Sequence, residues 1–235
     1  MSRLLPELDR LYLVASPDAR LVAPDGAVRA MVFEVVQPTN WDALSEVWHG
    51  VQMELELPAP GIAVSGRDGL QLWFSLETAI PASRAHEFLE ALRVRFLAHV
   101  PASRIRLWPT ATQHAALVPA LQADSGNWSA FVAPDLAAIF SDTPWLDVEP
   151  GEEGQAALLR ALRSITPAAF ESAFAGMRAT APAPALAPES APAPGRDPAT
   201  VAPAVTDDPR QFLLRVMNDE SVALSLRIEA AKALL

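Results

Sequence analysis

The chain has 235 residues, of which 51% are hydrophobic and 20% are charged, so it is expected to be globular and not disordered. It has no cysteine, which excludes disulfides, thiolate metal sites and a cysteine nucleophile. The net charge is −10 and the one lysine is Lys232, which excludes a P-loop or Schiff-base lysine from the main body and argues against broad non-specific binding to nucleic acid.

Membrane insertion and secretion are not expected. No apolar run is long enough to span a bilayer, and residues 1–10 lack the apolar segment of a signal peptide. We therefore predict a cytoplasmic protein.

Strands and helices alternate in the first part of the predicted body, residues 1–178. Period-2 patterns predict strands and 3.6-residue periodicity predicts helices. The predicted strands are 11–14, 28–36, the hairpin 61–76 and 104–108; the predicted helices are 41–56 and 81–96. This order contains the βαββαβ pattern of ferredoxin-like or RRM-like sheets with helices on one face. The predicted class is α+β, with extra strands and C-terminal helices.

The second part of the body is less regular. Residues 117–121 and 129–133 are predicted to pair as strands around a turn at 124–127. A short helix is predicted at 134–140. Two closing helices are predicted at 152–163 and 167–177, with Pro167 at the first helical position of the second one.

The composition changes abruptly after residue 178. Alanine and proline dominate 179–206, which predicts a largely extended linker. Residues 207–235 are predicted to form a helical hairpin too small to bury much surface alone. We expect this tail to dock on the body, on another copy of the chain or on a protein partner.

The hairpin Gly61–Leu76 carries the most informative motif. A short apolar run is broken by Ser65-Gly66-Arg67-Asp68-Gly69, after which apolar residues alternate with Gln71, Trp73 and Ser75. Glycine allows positive φ and close approach of a backbone or a ligand. The pattern fits a plain turn and also a cradle for a ligand.

The run Val32–Leu76 is similar to the archaeo-eukaryotic primase superfamily, and most similar to its bacterial and phage primase-polymerases. In that family a strand ends in two acidic residues separated by one position, a helix follows, and a hairpin carries Ser-Gly-x-Gly-x-His. The strand here is Val32-Phe33-Glu34-Val35-Val36, and the hairpin is Ser65-Gly66-Arg67-Asp68-Gly69-Leu70-Gln71. The resemblance covers about residues 28–108 and implies an RRM-like fold.

The departures from the family pattern fall on its chemistry. The resemblance implies that paired carboxylates hold Mg²⁺ or Mn²⁺ for nucleotidyl transfer, but only Glu34 of the pair is present, because the second position is Val36. The family histidine that binds triphosphate corresponds to Gln71, which carries no charge. The third acidic position corresponds to Arg106. The resemblance therefore implies the fold and argues against the activity, and we predict no metal site.

Two further features admit two interpretations each. The arginines at 67, 93, 95, 104 and 106 fit a phosphate-binding patch, or solvated side chains paired with Glu87 and Glu90. Trp73 stacks a nucleic-acid base if its face of the sheet is open, or it is covered by residues 109–178.

These patterns predict a non-catalytic, primase-polymerase-like accessory protein associated with nucleic acid or replication. One alternative is a protein-interaction adaptor without a nucleic-acid role. Another is a nucleotidyl transferase with a rearranged metal site built from Glu34, Asp68 or Glu77. Glu34 is a weak candidate for catalysis, and the candidate ligand-binding residues are Ser65, Gly66, Arg67, Gly69, Gln71, Trp73 and Arg106.

Overall fold

A computed structural model describes residues 3–14, 20–37, 39, 41–110 and 113–180. The predicted tail 207–235 lies outside the described residues, as does all of the predicted linker beyond residue 180.

Helices and strands alternate through most of the body. The α-helices are α1 (Leu4–Leu11), α2 (Trp41–Met53), α3 (Ala82–Phe96), α4 (Glu152–Arg160) and α5 (Pro167–Thr180). The strands are β1 (Ala27–Val36), β2 (Gly61–Val64), β3 (Gly69–Pro81), β4 (Ile105–Trp108) and β5 (Ala130–Val132), and 3₁₀ helices occupy Ala102–Arg104 and Pro134–Ser141.

The strands form one five-stranded sheet in the order β4-β1-β3-β2-β5. Every neighbouring pair is antiparallel. The long central strands β1 and β3 are rich in apolar residues and are buried over most of their length. The α+β class predicted from the sequence is confirmed.

One face of the sheet carries the larger core. Phe33, Leu72 and Phe74 pack there against apolar residues of α2, α3 and α5. Phe88 of α3 stacks on Phe170 of α5 with ring centroids 4.6 Å apart. The predicted alternation is therefore correct, because Leu70, Leu72 and Phe74 lie on the face of β3 that packs in the larger core.

The other face is also covered, so the prediction of helices on one face holds for α2, α3 and α5 but not for α1 and α4. Leu8 of α1 and Leu159 of α4 belong to a second core cluster with Val32 and Trp73 of the sheet. The small and apolar side chains on this face leave a surface that must be buried, and α1 and α4 bury it.

The predicted strand 11–14 is also wrong. Leu4, Leu8 and Leu11 are buried on one side of helix α1, and Val14 makes only an isolated bridge to Arg20. The spacing of these leucines is helical, and the tertiary contacts of α1 override the strand propensity of Tyr12-Leu13-Val14.

The predicted pairing of 117–121 with 129–133 is found only at the end next to the turn. Residues 130–132 do form a strand, but β5 pairs with β2 in the main sheet. Next to the turn, the Ser129 amide donates to the Ala120 carbonyl at 2.9 Å, and Leu121 and Trp128 form an antiparallel bridge.

The outer edge of β5 is closed by a side chain of α4. Gln155 donates its Nε2 to the carbonyl of Phe131 at 3.0 Å and accepts the amide of Phe131 on Oε1 at 2.7 Å. Both backbone groups of Phe131 that face away from the sheet are thus satisfied.

Across the part of the chain that the structure describes, no helix combines the length and apolar character needed to cross a bilayer.

Candidate functional site

One row of registered residues crosses the whole sheet through the predicted site. Glu34 of β1 is the partner of Arg106 on β4 and of Gln71 on β3. Gln71 is in turn opposite Ala63, and Ala63 is opposite Phe131. Three positions that are distant in sequence, Glu34, Gln71 and Arg106, therefore lie side by side.

The turn between β2 and β3 is held by its own polar groups. Ser65 Oγ accepts the amides of Gly69 at 2.9 Å and of Arg67 at 3.2 Å. Gly66 has φ +78°, and a Cβ there would lie 2.7 Å from the Ser129 nitrogen. The turn thus requires glycine at this position for its backbone conformation and for its close packing.

Gly69 makes room for the carboxyl group of Glu34. A Cβ at Gly69 would lie 2.5 Å from Glu34 Oε1. This glycine therefore accommodates a side chain of the protein itself.

A buried polar network surrounds Glu34. Gln71 Nε2 donates to Glu34 Oε1 at 3.1 Å, and Trp108 Nε1 donates to Glu34 Oε2 at 3.4 Å. Trp73 Nε1 donates to Gln71 Oε1 at 2.8 Å. Burial raises the pKa of Glu34, and the donors Gln71 and Trp108 together with the charge of Arg106 oppose that rise.

Arg106 lies between two carboxylates. Its Nη1 and Nη2 donate to the two oxygens of Asp68 at 2.9 and 2.8 Å, and Nη1 is 3.8 Å from Glu34 Oε2. A guanidinium that binds a carboxylate through two parallel bonds has a fixed orientation. The charge of Arg106 is thus directed at the protein's own acidic groups.

A cavity of about 230 Å³ borders this network. Its lining includes six of the residues singled out from the sequence, namely Glu34, Ser65, Arg67, Asp68, Gln71 and Arg106, together with Trp108, His114 and Gln122. The cavity is small and is lined by acidic, basic and apolar side chains.

Trp73 does not offer a stacking surface. Its side chain is fully buried, with Tyr12 at a ring-centroid distance of 5.2 Å and Phe131 at 5.9 Å. The interpretation that residues 109–178 cover Trp73 is correct in part, because α1 contributes to the cover as well. Trp73 is therefore removed from the candidate ligand-binding residues.

The arginines do not form an open phosphate-binding patch. Arg93 pairs with Glu90, as predicted, and Arg95 pairs with Glu54. Arg67 donates Nε to Gln122 at 2.7 Å and lies 3.3 Å from Asp124. These contacts favour the interpretation of arginines paired with acidic side chains.

The described residues include no group of three or more His, Asp or Glu side chains arranged to hold a metal ion. Glu77 lies six positions along β3 from Gln71, or about 20 Å at ~3.4 Å per residue. Glu77 therefore does not reach Glu34 and Asp68, and those two carboxylates have Arg106 between them.

Several residues of the site were not predicted from the sequence. Trp108 follows Arg106 by two positions and therefore lies on the same face of β4, a signal that strand alternation contains. His114 donates Nε2 to the carbonyl of Ala30 at 3.1 Å, and burial lowers the pKa of His114. Neither His114 nor Gln122 has a spacing that would have indicated a place in the site.

No protein-family model matches the chain, and no curated protein is significantly similar to it.

Proposed function

We propose that the chain is a non-catalytic, primase-polymerase-like accessory module associated with nucleic acid or replication. The observation that carries the proposal is the position of Glu34 between Gln71, which donates to it at 3.1 Å, and Arg106, which lies 3.8 Å from it. In the family that the chain resembles, these three positions carry metal-binding or phosphate-binding residues. No local pattern in the sequence requires the three positions to lie close together. Their convergence beside a glycine turn supports common descent.

The arrangement of the sheet supports a ferredoxin-like or RRM-like core. β4, β1, β3 and β2 are neighbours in that order, and α2 and α3 connect parallel strands separated by one antiparallel strand. This is the arrangement of a split βαβ unit repeated twice. The fifth strand and α1 are additions to that core.

The contacts of the site support loss of catalysis. Two-metal nucleotidyl transfer needs several oxygen ligands around the cations. Here one acidic position is the apolar Val36, and both oxygens of Glu34 have protein donors. Arg106 supplies a positive charge where the family has an acidic metal ligand. The negative charge at this site is therefore balanced by an arginine of the chain itself.

Primer synthesis tests the catalytic part of the proposal. The full chain is incubated with Mn²⁺, nucleoside triphosphates and a single-stranded template, and products are resolved on a denaturing gel. We expect no extension above a protein-free control. Templated products that increase with protein concentration would refute the loss of activity.

A restored variant tests descent separately from activity. Val36→Asp, Gln71→His and Arg106→Asp together recreate the acidic and histidine positions of the family. Titration of Mn²⁺ followed by electron paramagnetic resonance should show binding to this variant and none to the wild type. A folded variant that binds no Mn²⁺ would count against the family assignment.

Nucleic-acid association is tested with a labelled single-stranded DNA at low salt. We expect binding whose affinity falls as salt increases, because phosphate contacts release counterions. The second candidate function, a protein-interaction adaptor, predicts no such affinity. It is favoured by the pairing of Arg67 and Arg106 with acidic groups and by the burial of Trp73.

A further inference from the structure

Another cavity lies at the end of the sheet where β2 begins and β5 ends. It has a volume of about 460 Å³ and lies between residues of α2 and α4. The described residues that line it carry no charged side chain and no hydroxyl, carboxyl or amide side chain. It shares no lining residue with the cavity beside Glu34. In a chain of which 20% is charged, an uncharged cavity of this size has the character of a binding site for an apolar molecule.

Polar groups in the wall of this cavity are already bonded within the chain. Trp48 Nε1 donates to the carbonyl of Pro60 at 3.2 Å. The outer amide and carbonyl of Phe131 are held by the side chain of Gln155. These groups therefore offer apolar contact to an occupant and do not orient it.

The hydroxyl of Tyr12 is a buried donor directly behind the wall. It has no hydrogen-bond partner among the described residues, and the side chain is fully buried. A Cβ at Gly61 would lie 2.9 Å from Tyr12 Oη. The same point is 3.0 Å from Leu162 Cδ1 and 3.5 Å from Phe131 Cε1. Because Gly61, Leu162 and Phe131 all line the cavity, the hydroxyl lies at its wall, and a buried hydroxyl without a partner requires an explanation.

The surroundings of this hydroxyl favour an uncharged acceptor. Burial raises the pKa of the Tyr12 phenol far above its usual value, so the group keeps its proton at neutral pH and can donate it. Arg10, whose charge acts on the phenol, is already paired with Glu7 at 2.8 Å. A carboxylate in this cavity would be buried without a free cation beside it, which is costly.

We propose that this cavity binds a small uncharged apolar molecule with one oxygen atom that accepts a hydrogen bond from Tyr12. Its volume is about three times the ~150 Å³ of a cavity that holds one benzene molecule, so a two-ring compound fits. The apolar part packs against Trp48 and Ala157. The oxygen approaches Tyr12 between Gly61 and Leu162, whose half-buried side chain turns aside. The inference goes beyond the proposed function and does not depend on the site around Glu34.

The test uses the full chain and three naphthalene derivatives substituted at the same carbon. Acetylnaphthalene carries a carbonyl oxygen, ethylnaphthalene has a similar shape without it, and naphthoate carries a negative charge. Calorimetric titration should show acetylnaphthalene binding about fivefold more tightly than ethylnaphthalene, the usual gain from one hydrogen bond. Naphthoate should bind more weakly than acetylnaphthalene.

Tyr12→Phe tests the donor directly. The variant should bind acetylnaphthalene and ethylnaphthalene equally, and its affinity for ethylnaphthalene should match that of the wild type. The substitution removes a hydroxyl that has no partner and leaves the ring in place, so the variant should be at least as stable as the wild type.

A matched pair of alanine variants tests the location. Ala157 is exposed on α4 and lines the cavity, so Ala157→Phe should weaken the binding of both neutral probes about tenfold, which corresponds to ~1.4 kcal/mol. Ala168→Phe should leave binding unchanged, because Ala168 is an exposed alanine of α5 that does not line the cavity. If Ala157→Phe does not fold, Ala161→Phe replaces it, since Ala161 is also an exposed lining residue.

Four results would overturn the inference. The first is equal affinity of the wild type for acetylnaphthalene and ethylnaphthalene, and the second is a difference between these probes that persists in Tyr12→Phe. The third is the absence of binding to a folded chain. The fourth is probe binding that a folded Ala157→Phe variant retains in full, which would place the probes elsewhere on the molecule.

Discussion

Glu34 is a buried carboxyl group that neutral donors approach more closely than any cation does. The donors from Gln71 and Trp108 lie at 3.1 and 3.4 Å, whereas the nearest guanidinium nitrogen of Arg106 lies at 3.8 Å. Burial disfavours the ionised form of Glu34. The hydrogen bonds from Gln71 and Trp108 and the charge of Arg106 offset this effect only in part. The protonation state of Glu34 is therefore coupled to folding.

This coupling predicts a pH dependence with a definite sign. Because burial raises the pKa of Glu34 above its usual 4.5, its contribution to the free energy of unfolding is complete below pH 4.5 and is lost as the pH rises through the folded-state pKa. Urea denaturation at a series of pH values should show the wild-type free energy falling, from pH 4.5 towards neutrality, relative to that of Glu34→Gln.

Glu90→Gln is the control for this measurement. The hydrogen bond from Arg93 lowers the pKa of Glu90, so the stabilisation by Glu90 is present above its usual pKa and is lost as the pH falls. The difference between the wild type and this variant should therefore stay level from pH 4.5 towards neutrality and should fall as the pH drops below 4.5. Equal slopes for the two variants would contradict the assignment of a raised pKa to Glu34.

Gly69 is required because Glu34 occupies the space beside it. In Gly69→Ala the new Cβ would lie 2.5 Å from Glu34 Oε1 and 2.8 Å from Glu34 Cγ. We expect a loss of about 1–3 kcal/mol in the free energy of unfolding, since a buried and hydrogen-bonded side chain must shift. Gly154→Ala is the matched control, because nothing lies within 4 Å of a Cβ there and a helix interior gains up to ~1 kcal/mol from alanine. Equal stabilities of the two variants would refute this account of Gly69.

At the scale of elements, the contact between α4 and β5 satisfies the outer backbone groups at one edge of the sheet. Gln155 presents an amide to Phe131 much as a neighbouring strand would, and it is almost fully buried. The helix thereby replaces a sixth strand on that side. Removal of the amide would leave two buried backbone groups without partners.

Gln155→Leu should therefore destabilise the protein by about 2–4 kcal/mol, since each buried unsatisfied group costs roughly 1–3 kcal/mol. Hydrogen exchange should accelerate at the Phe131 amide before it does so in β1. The control is Gln52→Leu, whose amide bonds only to the Trp48 carbonyl within its own helix; its effect should stay within about 0.5 kcal/mol. A Gln155→Leu variant as stable as the wild type would show that the edge is satisfied in another way.

Elements with a strong local pattern were predictable from the sequence. The alternation in β3 and the periodicity of α2 and α3 reflect burial on one side, and the hairpin sets the register that aligns Gln71 with Ala63. α1 was not predicted, although Leu4, Leu8 and Leu11 have helical spacing, because the adjacent Tyr12-Leu13-Val14 favours a strand.

The cover over the second face was not predictable in the same way. Gln71 and Ser75 alternate with apolar residues as they would on an open face, yet both are buried and hydrogen-bonded within the fold. Whether such a face is open depends on where residues distant in the chain pack. The alignment of Glu34 with Arg106 similarly depends on the register between β1 and β4, which no local pattern specifies.

At the scale of the whole molecule, the described part of the chain contains two apolar clusters, one on each face of a single sheet. Each cluster is assembled from segments that are far apart in sequence. The second cluster joins α1, near the beginning of the chain, to α4. The fold of this part therefore depends on non-local contacts.

A fragment of residues 1–180 is expected to fold without the remainder of the chain, because both clusters lie within it. Near-ultraviolet circular dichroism should show an ordered aromatic environment, and urea unfolding should be cooperative. A fragment 27–180, which lacks α1, should lose that ordered signal because Trp73 loses part of its cover. An unfolded 1–180 fragment would contradict the domain boundary predicted near residue 178.

The burial of Tyr12 provides an optical reporter of the second face. Tyr12 is the only tyrosine of the chain, and burial raises the pKa of its phenol far above the usual value. A phenol exposed to solvent ionises near pH 10, whereas we expect this one to do so only after α1 has separated from the sheet. After a jump to alkaline pH, the rate at which phenolate absorbance develops therefore measures how often α1 separates from the sheet. The measurement needs no added label.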